Sequence, residues 1–120
     1  MQGINKVLIL GHLGQKPEIK LTGNGNPFAD LRVATNRRVK SGDEFVERVD
    51  WHNIRFWGRK AELCEEFLDI GLPVAIEGRL QTDSWTTPDG EKKTKSLIHG
   101  ERLHLLPRYR SAINGSENMA

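Results

Sequence analysis

With one cysteine in 120 residues, this chain has no internal disulfide available to it. Its four histidines and that single thiol, Cys64, form none of the close ligand pairs of zinc sites, so no structural metal is expected. No apolar run approaches the roughly 20 residues needed to cross a bilayer, and the amino terminus has no basic segment leading into a sustained apolar stretch. The scarcity of thiols and the absence of such segments together predict a soluble, cytoplasmic protein. Length leaves room for one domain and excludes a separate cofactor module. Neither sign of charge dominates: 18 basic residues against 16 acidic ones leave +2, so net charge does not identify the partner and its distribution becomes the question. Ser, His and Asp occur, but in no arrangement that sets a nucleophile on a strained turn beside a base, and no enzyme activity is expected.

What the chain does have is strand periodicity. Residues Asn5 to His12 contain Val7, Leu8, Ile9 and Leu10, apolar on both faces and therefore expected to be covered on both. After the turn-rich Thr22 to Pro27, a second strand runs from Phe28 to about Arg37, with Ala29, Leu31, Val33 and Thr35 on one face. The third, Phe45 to Trp57, separates two chemistries: Ile54 and Phe56 point one way, while Val49, Trp51, Asn53, Arg55 and Trp57 point the other. From Arg59 to Ile70 the period becomes helical, with Leu63, Cys64, Phe67, Leu68 and Ile70 on one stripe and an acidic opposite face. Gly71 and Pro73 stop it. Two more strands, Val74 to Trp85 and Thr94 to Leu105, flank a turn at Pro88-Asp89-Gly90. Three strands, a helix and a two-stranded hairpin give an all-β chain with one helix. This is the element order of the OB-fold, a five-stranded, partly open barrel with an α-helix between strands 3 and 4. Residues 1–107 are assigned to that domain and 108–120 to a short disordered tail.

The three tryptophans all fall in strands. A single tryptophan is more often core than binding surface, but Ile54 and Phe56 already supply the third strand's core face, and Arg55 is interleaved with Trp51 and Trp57. Stacking of bases on such rings is worth about 1–3 kcal/mol each and does not depend on base identity. Basic residues cluster nearby: Arg32, Arg37, Arg38 and Lys40 around the end of strand two, Arg55 and Arg59 around strand three, and Lys92, Lys93 and Lys95 beside the last hairpin. A groove lined by such groups can track phosphates. Gly11-His12-Leu13-Gly14 is taken as a turn rather than a phosphate-binding or KH loop. Cys64 is taken as a small core hydrophobe.

The run Ile4-Asn5-Lys6-Val7, Gly11-His12-Leu13-Gly14-Gln15-Lys16-Pro17-Glu18, Ala34-Thr35, Trp51-His52, Trp57-Gly58, Ala61-Glu62, Gly71, Ile76-Glu77-Gly78-Arg79-Leu80 and Trp85 resembles the bacterial single-stranded DNA-binding protein (SSB) family across nearly all of residues 3 to 106. The resemblance implies a non-catalytic homotetramer of OB-folds that needs no cofactor. It would bind single-stranded DNA without sequence preference and protect it during replication, recombination or repair, in association with the bacterial nucleoid. Trp51, Trp57 and Trp85 match stacking positions, Lys6, Arg59 and Lys93 match basic positions near the DNA path, and His52 matches a subunit-contact position. Three departures stand out. Val39 occupies a place where the family usually has a stacking aromatic, Asp83 and Ser84 replace basic residues before the last tryptophan, and the end Asn114 to Ala120 lacks the usual acidic tip, so recruitment of enzymes through such a tip is not expected. A dimeric primosomal OB-fold adaptor and an RNA-binding OB protein are the alternatives.

Overall fold

The computed structural model describes residues 2–106, and the expected tail lies outside them. Six strands and one helix follow in order: β1 (Val7–Leu13), β2 (Ile19–Leu21), β3 (Pro27–Ser41), β4 (Glu44–Trp57), α1 (Arg59–Phe67), β5 (Pro73–Thr86) and β6 (Lys92–Leu105). The strand order β1-β5-β6-β4-β3-β2, with β1 also paired to β3, closes the five long strands into a barrel. The helix stands between the third and fourth of these, which is the OB-fold arrangement expected from the sequence. The short β2 is an addition to it, pairing Ile19–Leu21 with Ala29–Pro27 at the β3 margin.

Alternation builds the core. Ala29, Leu31 and Val33 of β3 meet Ile54 and Phe56 of β4, Val74 and Ile76 of β5 and Ile98 of β6, all buried, and the lid over one end is Ala61, Cys64 and Leu68. Gly100 is the tight point: a Cβ there would stand 2.6 Å from the Phe56 ring, so only glycine lets β6 pass this close.

Three expectations are corrected. The helix ends at Phe67 rather than Ile70, because Leu68 turns extended (φ −101°, ψ 148°) to bury its side chain, leaving Phe67 and Ile70 exposed. Gly71 then donates from N to Leu13 O at 2.8 Å as the chain enters β5. The first strand is not covered on both faces: Leu8 and Leu10 are 69% and 65% exposed. The second and third strands do not stop at Arg37 and Phe45 but continue into a hairpin through Ser41↔Glu44, turned by Gly42 at φ 64°. Among the described residues no helix is long and apolar enough to cross a membrane.

Candidate nucleic-acid interface

Directly paired residues of an antiparallel ladder share a face, so the β3–β4 register sorts the candidates. Phe28↔Trp57, Asp30↔Arg55, Arg32↔Asn53, Ala34↔Trp51, Arg38↔Glu47 and Lys40↔Phe45 all lie outside the barrel on one face. Trp51 and Trp57, six residues apart on β4, are separated by about 20 Å at the usual rise per strand residue. The parallel pair Arg55↔His99 and the antiparallel pair Arg79↔His99 carry the same surface across β6 to β5. There Trp85 stands opposite Lys93, and Asp83 opposite Lys95, along the outward side of the β5–β6 hairpin. The two hairpins leave a cleft of about 190 Å³ at their base, lined by Trp51, Asn53, Leu80, Ser96 and Leu97.

None of the three tryptophans is core: Trp51, Trp57 and Trp85 are 45%, 38% and 47% exposed. They do not form one platform, because β6 lies between β4 and β5, and they follow one another along a track instead. Each ring on β4 is fixed by its neighbours. The Arg32 guanidinium lies 4.6 Å from the Trp51 ring centroid, and that of Arg55 lies 4.2 Å from Phe28 and 5.8 Å from Trp57. Phe28 and Trp57 pack tilted at 45° with centroids 5.2 Å apart. Each such contact places a cation over one face of its ring, and the partial exposure of Trp51 and Trp57 leaves the remainder open to a ligand.

The basic candidates divide. Arg55 donates from Nε to Asp30 Oδ1 (2.6 Å) and from Nη2 to Oδ2 (2.9 Å), and this pairing raises its pKa, so its charge is largely answered within the fold. Arg59 is bridged to Glu62 at 3.1 Å, Lys93 to Glu91 at 3.9 Å and Lys6 to Glu77 at 3.4 Å. Among the described residues no carboxylate lies within 4.0 Å of Arg32, Arg38, Lys40 or Lys92.

Several candidates are not on the tryptophan face. Arg37 and Arg38, adjacent in sequence, point to opposite sides of β3. Arg37 donates to Asp50 at 2.8 Å on the face of His52, whose Nε2 is 2.8 Å from Thr35 Oγ1. Lys92 pairs opposite Thr86, on the side of its hairpin away from Trp85, and Lys6 lies around the barrel beside β1. Two contributors went unnoticed in the sequence. Phe28 becomes part of the surface only through its pairing with Trp57, which no local pattern shows. Gly14 does so because the Trp51 ring rests against its Cα, where a Cβ would collide with Cζ3 and Cη2, while Gly14 N donates to Arg32 O at 2.8 Å. The glycine dismissed as a turn residue seats an aromatic.

A small OB barrel with an outward track of aromatic rings and arginines defines the class of oligomer-binding barrels that engage nucleic-acid strands or other chain-like ligands on this face. Residues 4–106 match the pattern of the Single-strand binding protein family, and the chain belongs to that family. Over 99 residues it is 43% identical to Single-stranded DNA-binding protein 1 of Chlorobaculum tepidum, a match covering 81% of this chain and 61% of that relative's length. Among solved structures, the Plasmodium falciparum SSB in complex with ssDNA superposes with a TM-score of 0.76 at 26% identity, covering 88% of this chain and 97% of that one. A deletion mutant of the single-stranded DNA binding protein from Thermus aquaticus gives 0.77 at 30% identity, covering 89% of this chain and 52% of that one.

Proposed function

We propose that this protein binds single-stranded DNA without sequence preference and shields it during replication, recombination or repair, in a non-catalytic role at the bacterial nucleoid in the cytoplasm. The observation that carries this reading is the exposure of all three tryptophans outside the core on one outward track, Trp51 and Trp57 beside arginines and Trp85 opposite Lys93. Trp51, Trp57 and Trp85 stack bases. Arg38 and Lys40 line the phosphate path on the same face, with Arg55, Arg59 and Lys93 as partly answered charges along it. Lys92, Lys6 and Arg37 enter the path only if the strand wraps beyond this face. Assembly as a homotetramer is supported by two features. Among the described residues Val7–Gly11 of β1 has no strand partner on its β3 side, and Leu8 and Leu10 beside that edge stand open. His52 and Arg37 lie on a second, polar face suited to subunit contact.

The test is tryptophan fluorescence titrated with a long thymidine oligonucleotide at low and high salt, on a sample of known mass in solution. Quenching should saturate at a fixed nucleotide length per oligomer and weaken with salt, with a logarithmic slope of about −0.7 per phosphate neutralised. Trp51→Ala and Trp85→Ala should each cost roughly 1–3 kcal/mol of binding. Absence of quenching and of binding at low salt would overturn the proposal and leave the aromatic face to protein contacts, as in an adaptor.

A further inference from the structure

Resting on the single-stranded DNA reading, we propose that Phe45, near the tip of the β3–β4 hairpin, is a further base-stacking position, with Arg38 and Lys40 as its phosphate contacts. The geometry is that of Trp51 repeated. Phe45 precedes Trp51 by the same six residues that separate Trp51 from Trp57, on the same strand and face. Arg38 follows Arg32 by six residues on the antiparallel strand β3, so ring and guanidinium are displaced together towards the hairpin tip. Arg32 pairs opposite Asn53 and reaches diagonally over Trp51 two residues away, and Arg38 pairs opposite Glu47 and reaches diagonally over Phe45 two residues away. The distances from guanidinium to ring centroid are 4.6 Å and 5.0 Å. One arrangement thus occurs twice along the hairpin, once at a tryptophan and once at a phenylalanine.

Phe45 is 60% exposed, more than any of the three tryptophans, and belongs to no core cluster, so packing does not account for an aromatic there. Lys40, its direct cross-strand neighbour, and Arg38 have no carboxylate within 4.0 Å among the described residues, leaving both charges available to a phosphodiester. Val39 points to the opposite face and pairs with Val46, so Phe45 is a position separate from Val39 rather than a replacement for it.

The experiment compares Phe45→Ala, Phe45→Leu and Phe45→Tyr with the unaltered protein. Binding is read by anisotropy of labelled thymidine oligonucleotides of graded length, and contact by photocrosslinking to a 5-iodouracil-substituted oligonucleotide with mapping of the crosslinked peptide. Because Phe45 lies outside the core, the melting temperature should not move. Stacking predicts affinity about fivefold or more weaker for Ala and Leu, retention in Tyr, a shorter length at saturation for the weakened variants, and a crosslink at Phe45. Full affinity in Phe45→Leu, or no crosslink at Phe45 while the unaltered protein binds normally, would overturn the proposal and leave the DNA-binding reading standing. Failure of the unaltered protein to bind any oligonucleotide would overturn both.

Discussion

Arg55 stands between Trp51 and Trp57 on the outward face of β4, opposite Asp30. Interleaved between two tryptophans it reads as a phosphate ligand, yet its guanidinium is gripped on both Nε and Nη2 by Asp30, and Asp83 adds a further favourable field. Its first task is to hold Phe28 and Trp57 in place, and Asp30 withholds part of its charge from DNA. Asp30→Asn should therefore strengthen binding about two- to fivefold and steepen its salt dependence, the magnitude set by a partly exposed ion pair. Titrations of both proteins over a salt series decide it, and unchanged affinity would mean that Asp30 does not compete with phosphate. Cys64 is the opposite case, a residue whose role the helical stripe already indicated. Burial pushes its thiol up to about 12, so a thiolate is scarce at ordinary pH. At about pH 8.5, where a free cysteine is half ionised, a thiol reagent should leave native protein unlabelled and label it fully in denaturant.

At the scale of elements, the two long hairpins were legible only in part. Period-two alternation in β4 separated Trp51, Arg55 and Trp57 from Ile54 and Phe56 correctly, because that separation depends on nothing beyond strand geometry. The continuation of both strands to Ser41 and Glu44 was not, since Arg37 to Phe45 has no apolar alternation once the hairpin leaves the barrel and neither face is buried. Arg37 and Arg38 then look like one basic cluster in sequence while the pleat sends them to opposite sides. The loop after β1 shows the same limit, because Gly14 matters through a tryptophan 37 residues away. Gly14→Ala should push the Trp51 ring off its seat and weaken DNA binding by up to about the 1–3 kcal/mol that a stacked base is worth. Oligonucleotide titration beside a thermal melt separates this from unfolding, and loss of fold without loss of affinity in the folded fraction would refute it.

For the molecule as a whole, part of the acid response is set on the side of the barrel formed by β1 and β5. Glu77 accepts from His104 at 2.9 Å and lies 3.4 Å from Lys6, and these partners, His104 first, hold its carboxyl below the usual carboxylate range. A lowered folded pKa means that the stabilisation is present above the unfolded value of about 4.3 and is lost as pH falls through the lower one. Melting temperatures measured from about pH 6 downwards should fall less steeply for Glu77→Gln than for the unaltered protein. Parallel curves would show that the cluster does not contribute. The same side carries the open β1 edge with Leu8 and Leu10, so the melts should be run at more than one protein concentration to separate folding from association.

Element order, the core faces of β3 and β4, the burial of Cys64 and the membership of Trp51, Trp57 and Trp85 in strands were determined by the sequence alone, because each follows from local periodicity and turn chemistry. Family resemblance was legible there as well, in short motifs spread over the whole domain. Which charges remain available, which aromatics line one track, why Leu68 leaves its helix and why Gly14 and Gly100 must be glycine were decided only by the tertiary structure. All of these depend on register and on contacts between residues distant in the chain. A strand's pattern states which way a side chain points, but its neighbour across the ladder is set by closure of the barrel.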